Sequence, residues 1–180
     1  AIPTDSGYAL ACDLHDTKAI RQIYDLKQSP KTHPLSIILA NADDVGRYAS
    51  YVSSLAYRTM RRLLPGPYTF ILDAGPEIPK RMQKKRSTIG IRVPGAEIPR
   101  RLAEELGRPL VCTSLRRGDT AEEPGFIIDP VHIERRFLDR LAAVVDGGLG
   151  LENPTTVVDV TSEPFEVLRE GQGSMELFGR

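Results

Sequence analysis

The chain has few of the residues that mark secreted, metal-binding or membrane-spanning proteins. Its 180 residues include three histidines and no tryptophan, and aromatic residues make up 6%. The two cysteines, Cys12 and Cys112, follow apolar residues, so we expect free buried thiols rather than a disulfide, and a cytoplasmic protein. No apolar run approaches the roughly 20 residues that a membrane-spanning helix needs. No signal peptide is visible, and the chain starts without methionine or a polar lead-in, which predicts that a preceding segment has been removed.

Several familiar catalytic motifs are also missing from the sequence. There is no G-x-x-x-x-G-K-[ST] phosphate loop, no G-x-G-x-x-G dinucleotide fingerprint and no G-x-S-x-G nucleophile elbow. The histidines are not spaced with the cysteines as zinc ligands are, so we expect no structural metal. These absences exclude the common phosphate-loop, dinucleotide-binding and nucleophile-elbow motifs.

The charge that the chain does carry is unevenly distributed. The formal net charge is zero, but the segment from Arg47 to Arg117 holds 15 of the 24 basic residues and 5 of the 24 acidic ones. The densest basic cluster runs from Lys80 to Arg86. Two interpretations stay open: a partner that is a polyanion or bears phosphate, and basic helix faces that are solvated and form no common patch.

Hydrophobic periodicity predicts an α/β domain spanning residues 1–180, built on a mixed sheet. Asp16 is expected to cap a helix from Thr17 to Lys27 that buries four residues, Ile20, Ile23, Tyr24 and Leu26. Further helices are predicted at Tyr48–Leu64, Pro99–Leu106 and His132–Leu138, and Asp43 or Asp44 is expected to cap a short helix. A strand with an internal turn is predicted at Ala1–Cys12, and others at Leu35–Ala40, Tyr68–Leu72, Thr88–Val93, Leu110–Thr113, Ala143–Asp146, Thr156–Val160 and Phe165–Arg169.

Hydroxyl and basic side chains stand at the ends of these strands: Ser6, Lys27, Thr88, Arg92, Ser114, Thr155, Thr156 and Arg169. Arg92 is the most informative, because the strand around it is otherwise apolar. A guanidinium in such a strand must meet an anion or remain solvated. The anion is either an internal Asp or Glu, or the carboxylate or phosphate of a ligand. For Thr155 and Thr156, the alternative is that they are ordinary β-strand threonines.

Taken in chain order, short motifs resemble the YrdC/YciO family of threonylcarbamoyl-adenylate synthase-type proteins. The resemblance covers nearly the whole chain and starts inside the family domain, without its usual first helix and strand. The variant Ser6–Leu10 and the ending Val167–Gly173 are most similar to the YciO branch. The motifs are Pro3–Leu10, Lys27, Pro34–Leu35, Pro65–Thr69, Ile89–Pro94, Thr113–Leu115 and Thr155–Asp159.

The resemblance implies a fold, a reaction and roles for individual residues. The fold is a twisted mixed sheet with helices around a concave, positively charged cavity. ATP, L-threonine and bicarbonate would give threonylcarbamoyl-adenylate and pyrophosphate, on the way to a modified adenosine at position 37 of tRNA, with Mg²⁺ entering on ATP. Threonine would be held by Ser6, Arg92 and Thr155. The nucleotide would face Lys27, Thr88, Ser114 and Arg169.

The resemblance also implies a non-catalytic alternative, in which the basic concave surface binds double-stranded RNA or tRNA. The candidate contacts are Lys80, Arg81, Lys84, Lys85, Arg86, Arg116 and Arg117. Three departures from the family pattern bear on the synthase reaction: Ser29 replaces an arginine, His33 precedes Pro34, and Leu115 and Arg116 follow Ser114 where the family has Ala and Asn. We therefore expect a synthase activity that is weak, altered or absent, and Arg116 and Arg117 in the neighbouring loop are the candidates to replace the lost arginine.

Overall fold

The fold is built on one eight-stranded mixed sheet. The computed structural model describes residues 1–27, 34–80, 82, 87–116 and 125–178. The sheet order is β1-β2-β6-β3-β5-β4-β7-β8, with β3–β5 and β4–β7 parallel and the other pairs antiparallel. The strands are β1 Ile2–Thr4, β2 Gly7–Asp13, β3 Ser36–Ile38, β4 Tyr68–Asp73, β5 Thr88–Arg92, β6 Leu110–Ser114, β7 Thr156–Asp159 and β8 Glu166–Arg169.

Five α-helices and two short 3₁₀ turns are present among the described residues. The α-helices are α1 Thr17–Lys27, α2 Val45–Tyr48, α3 Ser54–Leu63, α4 Glu97–Leu106 and α5 Pro130–Arg136, and the 3₁₀ turns are Ala42–Asp44 and Glu176–Phe178. Among these residues, no helix combines the length and the apolar character needed to cross a membrane.

The two faces of the sheet are covered differently. The larger core cluster packs α1, α2, α3 and α5 against one face, where Ile37, Phe70 and Ile91 are fully buried. A smaller cluster packs α4 against the other face through Ala103 and Ile38. Because side chains alternate between faces along a strand, the residues directly before and after each core residue of β3, β4 and β5 point toward the second face. Only part of that face is covered by α4, and the rest forms the cleft described below.

The predicted α/β class and mixed sheet are confirmed, and α1 has the predicted bounds and the four predicted buried residues. Asp16 caps it, since its Oδ1 accepts hydrogen bonds from the amides of Lys18 and Ala19. The strand predicted at Ala143–Asp146 is wrong. That segment joins no strand of the sheet; its Val145 amide makes one backbone hydrogen bond to Ala1.

The predicted helix over Tyr48–Leu64 is also wrong in its start. The chain is extended after Tyr48, and α3 begins at Ser54 because the Ser53 side chain accepts a hydrogen bond from the Ala56 amide. Asp44 occupies the N-cap position of α2, as predicted, but its side chain makes no capping hydrogen bond. The preceding 3₁₀ turn is capped by the Asn41 side chain, which accepts from the Asp43 amide. The helix predicted at His132–Leu138 lies two residues earlier, where Asp129 caps α5.

Candidate ligand-binding cleft

The uncovered part of the second sheet face is a cleft of about 250 Å³. It lies across six neighbouring strands, from β6 to β8, so that residues distant in sequence share one surface. Four basic side chains line it, and no Asp or Glu is among the described residues that do so. The lining residues with polar side chains are Lys27, Ser36, Thr69, Arg92, Cys112, Thr113, Ser114, Arg116, Thr155 and Arg169.

The cleft is deep at its centre because Gly90 in β5 has no side chain there. Gly90 pairs with Ser36 of β3 on one side and with Ile71 of β4 on the other. A Cβ at Gly90 would lie 2.6 Å from Ser36 Oγ and 3.1 Å from Thr69 Cγ2, so no larger residue fits without displacing those side chains. The alternation along β5 sends Ile89 and Ile91 into the main core and leaves Gly90 and Arg92 on the cleft side.

Arg92 has an internal anionic partner. Its side chain is 4% exposed, and Nη2 lies 2.5 Å from Asp5 Oδ1 and 3.2 Å from Ser6 Oγ. The other carboxylate oxygen of Asp5 accepts a hydrogen bond from the Gly95 amide at 2.9 Å. Arg92 Nε, in contrast, is buried and has no hydrogen-bond partner among the described residues. The guanidinium is therefore fixed by the protein at one end and retains one unsatisfied donor.

Ser6 supports Arg92 instead of lining the cleft. It lies in the turn between β1 and β2, is 3% exposed, and its amide donates to Thr4 Oγ1 at 3.2 Å. Gly7 closes this turn with a φ of +100°, a conformation that favours glycine, and a Cβ there would meet the Leu151 carbonyl at 2.6 Å. The turn therefore holds Asp5 and Ser6 together against Arg92.

A second arginine of the cleft, Arg169, is held by Thr155. Arg169 Nε donates to the Thr155 carbonyl and its Nη2 to Thr155 Oγ1, both at 3.0 Å. The Thr155 hydroxyl also shares a hydrogen bond of 2.9 Å with Thr69. Burial, followed by the positive charges of Arg116 and Arg92, lowers the pKa of Arg169. The three guanidinium groups thus interact electrostatically across the cleft.

The remaining predicted ligand residues have different positions. Lys27, at the end of α1, donates to Thr113 Oγ1 at 3.1 Å, and Ser114 lines the cleft at the end of β6. Arg116 also lines it, with its guanidinium carbon 5.5 Å from the centre of the Phe126 ring. Thr88 is at the other end of β5 from Arg92 and is not among the described lining residues. Its role in nucleotide binding remains a prediction.

Cys112 is a cleft residue that the sequence reading did not single out. It is 2% exposed and lines the cleft, and burial raises the pKa of its thiol, although the charge of Arg92 acts against that shift. Cys12 lies one residue out of register with it, since Cys112 pairs with Ala11, so the two thiols point to opposite faces of the sheet. Both are free thiols, as predicted, but only Cys112 is buried, since Cys12 is half-buried.

Most candidate RNA contacts fall outside the described residues. Lys80 is exposed, and Arg116 faces the cleft. Arg81, Lys84, Lys85, Arg86 and Arg117 lie outside the described residues, as do Ser29 and His33. RNA binding by this surface therefore remains a prediction.

The chain's similarity to known proteins agrees with this architecture. The family model Sua5_yciO_yrdC, described as telomere recombination, matches residues 1–171. The chain belongs to the Sua5/YciO/YrdC family. Among curated members, the uncharacterized protein YciO of Escherichia coli K12 is 39% identical over 98% of this chain and 84% of its own length. A threonylcarbamoyl-AMP synthase of Marinobacter nauticus is 30% identical over 92% of this chain and 86% of its own length.

Solved structures of family members have the same fold. The crystal structure of E. coli YciO superimposes with a TM-score of 0.89 at 37% identity, covering 98% of this chain and 85% of that one. Pyrococcus abyssi Sua5 complexed with L-threonine has a TM-score of 0.86 at 27% identity. That match covers 95% of this chain and 49% of the Sua5 chain, so the present chain corresponds to about half of that protein.

Proposed function

We propose that this Sua5/YciO/YrdC chain binds L-threonine and ATP in the cleft and forms threonylcarbamoyl-adenylate at a reduced rate. The observation that carries the proposal is the cleft lining: the described residues there include three guanidinium groups, one ammonium group and no Asp or Glu, and Arg92 Nε has no hydrogen-bond partner among them. A buried donor without a partner costs about 1–3 kcal/mol, so a ligand carboxylate that reaches it is favoured. Named synthases among the relatives, and a Sua5 structure with L-threonine, support the choice of substrates.

The reaction joins the threonine amine and bicarbonate to a carbamate, whose oxygen attacks the α-phosphorus of ATP. Threonine, bicarbonate and ATP give threonylcarbamoyl-adenylate, pyrophosphate and water, so no oxidant or reductant is needed. In this assignment, Arg92 binds the threonine carboxylate, Ser6 orients Arg92, and Thr155 forms the neighbouring wall. Lys27 and Arg169 would neutralise the phosphates and the Ser114 hydroxyl would donate a hydrogen bond to them, since preorganised charge and donors are the usual source of catalysis in phosphoryl chemistry.

Mg²⁺ belongs to this proposal as a companion of ATP. Among the described residues, no group of three His, Cys, Asp or Glu side chains is placed to hold a metal ion, which fits an ion held mainly by phosphate oxygens. When bound, the ion would reduce the negative charge of the triphosphate. A cytoplasmic location, where ATP and tRNA are present, is part of the same proposal.

The test measures threonine-dependent release of pyrophosphate and appearance of the adenylate product with ATP and bicarbonate. Replacing Arg169 with Ala should lower kcat/KM by about 10²-fold, because a charge-assisted phosphate contact is lost. Thr155 keeps its hydrogen bond to Thr69 in this variant, so the wall remains supported. Arg101→Ala is the matched control, since Arg101 is exposed on α4 and pairs with Glu97 there.

Two results would overturn the proposed function. One is the absence of any threonine-dependent product from the wild-type protein at high enzyme concentration. The other is an Arg169→Ala variant whose kcat/KM equals that of Arg101→Ala. Arg92→Lys adds a separate check, because lysine keeps the charge beside Asp5 but loses the guanidinium fork, and should raise the KM for threonine more than the KM for ATP.

A further inference from the structure

The side chain of Gln172 joins two segments that border the cleft. Its Nε2 donates to the Asp5 carbonyl at 2.9 Å and to the Asn153 carbonyl at 2.6 Å. Asp5 lies in the turn that holds Arg92, and Asn153 lies in the loop that leads to Thr155. We propose that Gln172 is a positioning residue that fixes the Asp5–Ser6 turn, and through it the carboxylate-binding guanidinium of Arg92. The substrate side of this inference depends on the proposed function.

Gln172 is able to position the turn because its own backbone is anchored elsewhere. The segment Gly171–Ser174 follows β8 and passes over the start of β7. Thr156 Oγ1 accepts from the Gly171 amide at 3.1 Å and donates to the Gly173 carbonyl at 2.9 Å. The Tyr68 hydroxyl donates to the Ser174 carbonyl at 3.0 Å, and the backbone N–H of Gln172 donates to the Pro154 carbonyl. None of these contacts uses the Gln172 side chain, so its removal leaves the segment attached.

Close packing keeps this segment in place. A Cβ at Gly173 would lie 2.3 Å from the Tyr68 ring, and one at Gly171 would lie 2.3 Å from the Pro154 carbonyl. The backbone therefore approaches β4 and the loop before β7 as closely as glycine permits. The side chain between these two glycines has a fixed origin, and only its amide group reaches the turn.

Asp5 is then held at three points. Arg92 and Gly95 bind its two carboxylate oxygens, and Gln172 binds its backbone carbonyl. The carboxylate contacts fix the side chain, whereas the peptide plane between Asp5 and Ser6 is held at its amide end by Thr4 Oγ1 and at its carbonyl end by Gln172. Gln172 completes the support of that plane, which sets the position of Ser6 Oγ beside Arg92 Nη2. Loss of this contact should loosen the turn without removing a charge from the site.

The effect should be confined to Arg92 and should not extend to Arg169. Arg169 is held by the carbonyl and hydroxyl of Thr155, and neither bond involves Gln172. A Gln172 variant should therefore weaken binding of the ligand carboxylate at Arg92 and leave binding at Arg169 unchanged. A general structural defect would weaken both.

The experiment compares Gln172→Met with Gln22→Met in the whole chain. Methionine approximates the shape of glutamine without its donors. Gln22 makes a comparable side-chain hydrogen bond, to the Arg140 carbonyl at 2.7 Å, and is an exposed residue of α1 that does not line the cleft. Hydrogen exchange of the Ser6 amide is measured without ligand, and titration calorimetry measures L-threonine and ATP binding. For Gln172→Met we expect about tenfold faster Ser6 exchange and about tenfold weaker threonine binding, with ATP binding unchanged.

Each outcome decides the inference. Ser6 exchange equal in Gln172→Met and Gln22→Met overturns it, whatever the ligands do. Equal weakening of threonine and ATP binding also overturns it, because the residue would then support the fold in general. Faster Ser6 exchange in a protein whose wild type binds no threonine supports the positioning of the turn and rejects the proposed function.

Discussion

At the scale of single residues, the sequence identifies the central arginine but not the partner that holds it. Arg92 stands out because a buried guanidinium in an apolar strand needs an anion. The structure shows the internal-acid alternative, since Nη2 pairs with Asp5. Nε has no partner among the described residues, and a ligand anion at that atom stays a prediction. Asp5 lies 87 positions away, and no local pattern connects the two residues.

Hydrogen bonds made by unremarkable residues are equally invisible to sequence reasoning. Gln172 and Thr69 belong to no charge pattern, and their importance comes from neighbours 167 and 86 residues away in the chain. Cys112 could have been placed on the cleft face by strand alternation, because Ser114 was already predicted at the end of the same strand. The position of Thr155 beside Arg169 follows from the β7–β8 register, which sequence alone does not fix.

The Cys12 thiol gives a pH-dependent prediction at this scale. Burial, followed by the charges of Asp16 and Asp13, raises its pKa from 9.0 to about 12. The unfolded thiol ionises first as pH rises, so the free energy of unfolding should fall between pH 9 and pH 12. In Cys12→Ala the free energy of unfolding should fall less steeply with pH over this range. The difference should reach up to about 1.4 kcal/mol per pH unit, which corresponds to one proton. Urea denaturation from pH 7 to pH 11 measures the slope, and parallel curves for the two proteins would contradict the assignment.

At the scale of elements, local signals predict α1 well and the helix–strand boundaries less well. Its apolar spacing and Asp16 cap specify both ends, and the structure has the same bounds. The segment Ala143–Asp146 has the apolar run of a strand but is not one. A segment becomes part of a sheet only if a neighbouring strand pairs with it, and the sequence does not reveal that neighbour. α3 starts later than predicted because Ser53 caps it, and the helical pattern of apolar residues from Tyr48 onward does not show that interruption.

The Asp16 cap supports a functional element, because α1 ends at Lys27, which lines the cleft. Asp16→Ala should lower the free energy of unfolding by about 1 kcal/mol, since two helix N–H groups lose their acceptor. Asp25→Ala is the matched control: Asp25 is exposed in the last turn of α1, where its charge opposes the helix dipole, so stability should stay equal or rise slightly. Urea denaturation of both variants tests this, and equal losses of stability would refute the cap's role.

At the scale of the whole molecule, the cleft depends on non-consecutive strand neighbours. The sheet places β6, β3, β5, β4, β7 and β8 side by side, so side chains from Lys27 to Arg169 meet on one surface. Periodicity predicts the α/β class, whereas the strand order depends on pairing between segments that are distant in the chain, which no local pattern specifies. The excess of basic residues in the middle of the sequence contributes Arg92 and Arg116 to the cleft, and its densest part lies mostly outside the described residues.

The most direct measurement of the central claim is a crystal structure of the chain with L-threonine and ATP bound. The proposed function predicts the threonine carboxylate within about 3.2 Å of an Arg92 nitrogen, the distance expected of a charge-assisted hydrogen bond. It also predicts the phosphates beside Arg169 and Lys27, with Asp5 and Ser6 unmoved. Threonine bound away from Arg92, or an empty cleft at saturating concentrations of both ligands, would contradict it.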